Sequence, residues 1–399
     1  MTASICKGFR LSCTGCGACA AACPKACIHF ERDYEGFSYP VIEADTCISC
    51  GRCAKSCPNN MKSASPAVQL AWAFQSADGE ALKSSSGGAF YMLALDVLAR
   101  AGAVYGFALE GSRLVMKRAV DKAALETLRG SKYVQGAIGD SFRSIADDVA
   151  AGLQVLVCGT PCQIAGVSSL LSQADRERVL LIDFVCHGVP SPHMFEEHAQ
   201  WLAEKNGSSP VEVSFRDKRH AHWLVSTHFL YRFENGKEIH GNWKLDPYYN
   251  AYLKGEAMRE CCYACRYATL DRASDITLAD FWGLDEAPEG MRLRDGVSAV
   301  VAHTEKGVHA VEALSSRGSL VQADVFDVVA GNKNLARPTP RPEARDAVYR
   351  DIADAGYGAW ASTQVTLKDR VTAYLADAVP TFAVAALVAI RSHLKEIVR

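Results

Sequence analysis

No large charge of either sign marks this chain: 43 Lys plus Arg stand against 45 Asp plus Glu, a formal charge of −2 over 399 residues. Without a basic excess there is little to neutralise a phosphate backbone, so no nucleic acid partner is expected. A long apolar run is also missing. The longest near the end, residues 378–390, is interrupted by Pro380 and Thr381 and falls short of the roughly 18 residues that span a bilayer. It reads as a packing helix, and no membrane span is expected. The opening MTASICKGFRLSCTG has no apolar core behind a basic start, so it does not read as an export signal, which places the chain in the cytoplasm. No Gly-x-Gly-x-x-Gly fingerprint occurs, so a separate Rossmann domain is not indicated and NADH as direct donor is disfavoured.

What remains is ordinary globular usage, 49% hydrophobic and 22% charged, in a length that suits about two to three domains. Cysteine is the exception. There are 16, and ten fall within the first 57 residues. In a chain with no sign of export, so dense an array points to metal or redox chemistry before disulfides.

Cys13-x2-Cys16-x2-Cys19-x3-Cys23-Pro24 is repeated as Cys47-x2-Cys50-x2-Cys53-x3-Cys57-Pro58, every element displaced by 34 positions, Gly17 and Gly51 included. This spacing resembles the bacterial two-cluster ferredoxin. Two residues between ligands let one tight loop present three thiolates to a cluster, and the fourth cysteine, before proline, ligates the neighbouring cluster. By that rule one 4Fe–4S cluster takes Cys13, Cys16, Cys19 and Cys57, and the other takes Cys47, Cys50, Cys53 and Cys23. Glycine at 17 and 51 permits the backbone angles such loops need. The competing reading, paired structural zinc sites, has no reason to repeat four cysteines followed by proline. Cys6 and Cys27 lie outside the spacing and read as small buried residues.

Residues 59–66 are rich in turn formers and mark a domain boundary. Three units are expected: a ferredoxin-type domain over 1–62, a body over 63–335 in parts of about 63–150 and 151–335, and a helical tail over 336–399. Ser84-Ser85-Ser86-Gly87-Gly88 precedes a helical pattern over 89–101 that Gly102 should stop, and a helix start of this kind suits a cofactor phosphate. The apolar run 155–157 reads as a buried strand leading through Cys158 and Cys162 into a helix to Leu171. Residues 179–185 repeat the plan, running through Cys186 to a helix opened by Ser191-Pro192. Two strand–turn–helix units predict a parallel sheet, with ligands beyond its carboxyl ends, where both cysteine-bearing turns fall. Alternation from about 211 to 239, with a hairpin at 234–237, makes the sheet mixed, and 275–281 and 297–303 are further strands. The fold expected is α+β to α/β: a dicluster ferredoxin fold joined to a mixed α/β body with a helical C-terminal tail.

The later cysteines Cys158, Cys162, Cys186, Cys261, Cys262 and Cys265 all fall on element ends. A third 4Fe–4S cluster on Cys186, Cys262 and Cys265, completed by Cys158 or Cys162, competes with a zinc site at Cys262-x2-Cys265. Five ordered segments then resemble the coenzyme F420 hydrogenase/dehydrogenase beta-subunit family fused to a two-cluster ferredoxin. They are Ser85–Gly88, Gly130–Gln135, Gly159–Gln163, Asp183–Ser191 and Asp275–Gly283. The resemblance implies FAD, a cluster in the body, and electron exchange with a two-electron partner such as coenzyme F420 or another small redox substrate. It makes Ser85, Ser86, Gly87, Gly88, Gly130, Ser131, Lys132, Tyr133, Gly159, Thr160, Pro161, Cys162 and Gln163 the expected flavin-contacting residues.

A hydride donor gives two electrons and a cluster takes one, so a flavin between them meets the chemistry. His187 suits proton delivery. Asp280 is a second acid–base candidate, and Lys132 a charge for a flavin phosphate or the reduced flavin. The function expected is an FAD- and iron–sulfur-dependent oxidoreductase serving a protein electron donor or acceptor. The alternatives are a ferredoxin-type relay subunit that docks to a separate enzyme and a zinc-stabilised binding module.

Overall fold

The computed structural model describes residues 5, 9–61, 68–219, 223 and 227–378. Cys6, most of the expected boundary loop and nearly all of the apolar run 378–390 lie outside the described residues. Between the cysteine runs, β1 (Ile28–Arg32) and β2 (Ser38–Ile42) pair antiparallel. Each run folds as a loop and a short helix, Ala18–Ala21 and Arg52–Lys55, opened by Gly17 at φ 90° and Gly51 at φ 70°. These are the left-handed conformations that only glycine adopts without strain.

The body is built on β3 (Leu70–Ser76), β4 (Ala103–Glu110), β5 (Arg113–Ala119), β6 (Val155–Gly159), β7 (Val179–Phe184), β8 (Pro210–Asp217), β9 (His228–Phe233), β10 (Glu238–Asn242), β11 (Ile276–Asp280), β12 (Ser298–Ala302) and β13 (Gly318–Ala323). Eight of these form one sheet in the order β13-β3-β12-β11-β7-β6-β4-β5. Its centre, β4-β6-β7-β11, is parallel, and its flanks are antiparallel. Successive residues alternate between faces. Leu156 and Ile182 join the core under the helices Ala89–Ala99 and Glu305–Glu312, and Val155, Val157 and Leu181 join the core under Ser141–Ala150 and Pro161–Ser168. The result is a helix–sheet–helix sandwich whose buried strands read as apolar runs.

The expected strands over 211–239 are present, with the turn at 234–237, but they form their own three-stranded antiparallel sheet, β10-β9-β8. Aromatic residues explain the separation. Phe215, Phe229, Tyr231 and Phe233 pack with Tyr248, Tyr249 and Trp360 in a further core rather than against the large sheet. The large sheet is mixed because of β3, β5, β12 and β13 instead. Two helix ends also differ. The helix from Pro161 stops at Ser168, and that from Ala89 stops at Ala99, with Ala101 at φ 54° in the left-handed position expected of Gly102. Gly102 is needed for space, since a Cβ there would lie 2.4 Å from the Gln154 carbonyl oxygen. The C-terminal region is helical over Arg345–Ala355, Tyr357–Gln364 and Leu367–Asp377. No described helix is long and apolar enough to cross a membrane.

Candidate functional site

The turns after β6, β7 and β11 converge beyond the carboxyl ends of the parallel strands. One cavity of about 440 Å³ lies there, lined by Thr160 and Gln163 after β6, Cys186 and His187 after β7, and Asp280 and Trp282 at and after β11. Its other side carries Ser85, Ser86, Gly88, Gly130, Ser131, Lys132 and Tyr133, so the distant Ser-Gly and Gly-Ser-Lys-Tyr segments meet in space. Their link is direct: Ser131 N donates to Ser85 Oγ at 2.7 Å. Gly88, at φ 94°, opens the helix from Ala89, and a Cβ on Gly130 would meet nothing within 4 Å.

Four expected flavin contacts lie elsewhere. A Cβ on Gly87 would strike the Phe74 carbonyl oxygen at 2.1 Å and Ser298 N at 2.6 Å, so this glycine serves close packing between strands. Gly159 is wedged against Gln163 and Phe107, each 3.2 Å from a Cβ built there. Pro161 and Cys162 begin the next helix and line a second cavity, of about 390 Å³.

That second cavity gathers Cys162, Cys186, Cys261, Cys262 and Cys265. The loop after Cys186 reaches them through a bridge between Pro190 and Met258 and a hydrogen bond from Arg259 N to Val189 O at 2.9 Å. Gly188 permits this approach, because a Cβ there would lie 2.3 Å from Met258 Sδ. Burial pushes the Cys162 thiol up to about 12. Cys158 is not in this group: it lines the first cavity, where burial likewise pushes its thiol up to about 12. The two cavities share Gly136, Thr160, Gln163, Cys186, Gly188 and Val189 as a common wall.

Beyond the second cavity stands the first cysteine run. Cys16 abuts the helix from Pro161, where a Cβ on Gly166 would lie 3.1 Å from its Sγ. Burial raises the Cys19 thiol, and the nearby thiols of Cys16, Cys13 and Cys57 raise it further. Cys57 of the second run therefore sits with the first. A third cavity, about 160 Å³, is lined by Cys47, Cys50 and Cys53 together with Cys23. Cys27 lines it too, its Sγ 3.3 Å from that of Cys23. Among the described residues, no three His, Cys, Asp or Glu side chains close on a single ion.

His187 opens into the first cavity, and the surrounding protein lowers its pKa by desolvation, with Asp280 opposing and Arg216 assisting. Asp280 is fully engaged, accepting from Arg216 Nη1 at 2.8 Å and Trp223 Nε1 at 3.1 Å. Burial lowers Lys132 to about 7, and its Nζ donates to Arg129 O at 2.7 Å and Thr127 O at 3.3 Å. Arg216 was not legible as a site residue, since an arginine in a strand carries no local signature; its Nη2 is buried without a hydrogen-bond partner.

Residues 152–326 match the family model for the C terminus of the coenzyme F420 hydrogenase/dehydrogenase beta subunit. Two 4Fe-4S dicluster models match residues 12–61 and 39–91. No curated protein sequence matches the chain significantly. Among solved structures, a chain of the F420-reducing NiFe hydrogenase complex from Methanosarcina barkeri is similar at 16% identity and a TM-score of 0.42, over 78% of this chain and 92% of that one. Residues 152–326 are thus a C-terminal domain of the coenzyme F420 hydrogenase/dehydrogenase beta-subunit family, joined in one chain to a 4Fe-4S dicluster domain at residues 12–61.

Proposed function

We propose that the chain is an iron–sulfur flavoprotein oxidoreductase. FAD held in the 440 Å³ cavity would exchange a hydride with a small two-electron substrate, reduced coenzyme F420 or another hydride donor, and three 4Fe–4S clusters held by the cysteines would carry single electrons to or from a protein carrier. The observation that supports this best is the common wall. Cys186, Thr160 and Gln163 face both the cavity of the Ser-Gly segments and the cavity of five thiols.

The donor sets suit the groups assigned to them. Five thiols lining the second cavity, and two runs of four cysteines each followed by proline, suit clusters better than zinc. The body cluster would take Cys186, Cys262 and Cys265 with Cys162, because Cys158 faces the other cavity. The first cavity lies within the roughly 300–1,000 Å³ usual for ligand sites. Its serines, its helix start at Gly88 and Lys132 suit phosphates, and the unpartnered Arg216 Nη2 awaits an acceptor. FAD bound there would convert between a two-electron hydride donor and one-electron carriers. Asp280, with both oxygens engaged, orients Arg216 rather than moving protons.

Iron, zinc and flavin quantification on anaerobically purified protein tests this. One FAD and about twelve irons per chain are expected. About eight irons without flavin would instead make the chain a relay subunit, and zinc in place of iron would make it a binding module.

A further inference from the structure

Arg259 is among the largest fully buried side chains, at 0% exposure. A buried guanidinium ordinarily requires a buried anion. Other buried arginines have one: Arg345 pairs with Glu35, Arg272 with Asp183 and Arg216 with Asp280. Arg259 does not. Its Nε donates to Cys13 O at 2.8 Å, Nη2 to Ser38 O at 3.0 Å and Nη1 to Gln135 Oε1 at 3.2 Å. None of these acceptors is charged, and among the described residues no ion pair includes Arg259. Beneath it lie the faces of Tyr39, at 4.1 Å, and Phe37, at 5.5 Å.

Its position supplies the missing charge. On one side is the loop of the first cysteine run, brought close by Gly15, where a Cβ would lie 3.2 Å from Nη1. On the other side Arg259 lines the cavity of Cys162, Cys186, Cys261, Cys262 and Cys265. Gln135 ties the two together, since its Nε2 donates to Thr14 O at 2.9 Å.

We propose that Arg259 is the shared counter-charge of two iron–sulfur clusters, the body cluster and the one on Cys13, Cys16, Cys19 and Cys57, and that it raises both reduction potentials together. This rests on the cluster assignment above. Each one-electron reduction adds a negative charge to a cluster, and a fixed cation in a dry setting favours the more negative state. The cluster on Cys47, Cys50, Cys53 and Cys23 lies against a different cavity, whose lining does not include Arg259, so it should respond less.

The test is a potentiometric titration of the full-length holoprotein, followed by electron paramagnetic resonance. The body-cluster signal is identified by its loss in Cys265→Ser. Arg259→Gln should make reduction of both neighbouring clusters at least tenfold less favourable, 59 mV for a one-electron couple, and shift the Cys47 cluster less than either. Arg259→Lys keeps the charge without the planar fork and should leave both equilibria within about threefold of the parent. Unchanged potentials in Arg259→Gln, equal shifts at all three clusters, or a lysine variant that shifts as far as the glutamine variant would each overturn the proposal. If Arg259→Gln fails to retain iron, Arg259→Met, which removes the charge but keeps an unbranched stem, is read on the same tenfold threshold. An unmodified chain with about eight irons refutes the cluster assignment itself, a separate result read before any titration.

Discussion

At the scale of single residues, His187 and Asp280 illustrate how one cavity sorts groups that look alike in sequence. Both lie on turns beyond the sheet, and both have side chains that transfer protons. Asp280 spends its two oxygens on Arg216 and Trp223, whereas His187 lines the cavity. Desolvation holds His187 below its ordinary value of 6.5, so at neutral pH the ring is an uncharged acceptor. A reduced deazaflavin that gives up a hydride also sheds a ring proton, and a neutral imidazole is suited to take it. The folded-state pKa is depressed, so this role is fully available above 6.5 and is lost as pH falls through the lower folded value. Turnover with a reduced deazaflavin donor should therefore show an acidic limb below pH 6.5. His187→Gln should lower kcat by roughly 10²- to 10⁴-fold and erase that limb. A limb that survives the substitution would assign it to another group.

At the scale of elements, the two cysteine runs were legible because their ligand geometry is local. Three cysteines in seven residues and a fourth before proline announce the loop and the short helix, and predict crossed ligation. The later cysteines were legible only as a group. Choosing between Cys158 and Cys162 depends on where a strand becomes a helix. Cys158 shares the β6 face of Leu156 and packs with the core under the helix from Ala89. Cys162, in the first turn after Pro161, points to the opposite side, towards Cys186 and Cys265. Strand alternation alone would put both on one face; they divide because β6 ends at Gly159 and Cys162 belongs to the helix that follows. The crossing itself is testable. Cys57 follows the helix Arg52–Lys55 of the second run, yet it neighbours Cys19 of the first. Cys57→Ala should abolish or convert the cluster signal of the first run and leave the signal of Cys47, Cys50 and Cys53 in place. Loss confined to the second signal would mean that each run holds its own cluster.

At the scale of the whole molecule, the dicluster domain is fastened by arginine contacts that join it to distant parts of the chain, which no local pattern announces. Arg266 donates to Pro58 O at 2.9 Å and Met61 O at 3.0 Å, and Arg32 pairs with Glu196 at 2.6 Å. The helix Arg345–Ala355 contributes Arg345, which is 1% exposed and reaches Glu35 in the turn between β1 and β2 with Nη2 to Oε2 at 2.6 Å. Arg345 also donates to Met258 O at 3.1 Å, next to Arg259. The tail thus joins the hairpin of one thiol set to the segment carrying the other, and it gives the last helices a function that their composition alone did not suggest. Removing one partner of a buried ion pair leaves the other charge stranded, at a cost of about 3–5 kcal/mol. Glu35→Gln and Arg345→Met should each lower stability by that order, in denaturant titrations of holoprotein followed by the iron–sulfur absorbance. Because each single change includes the stranded charge, the double variant should lose clearly less than the sum of the two. Strict additivity would show that the pair does not act as a unit and that the dicluster domain is held by its other contacts.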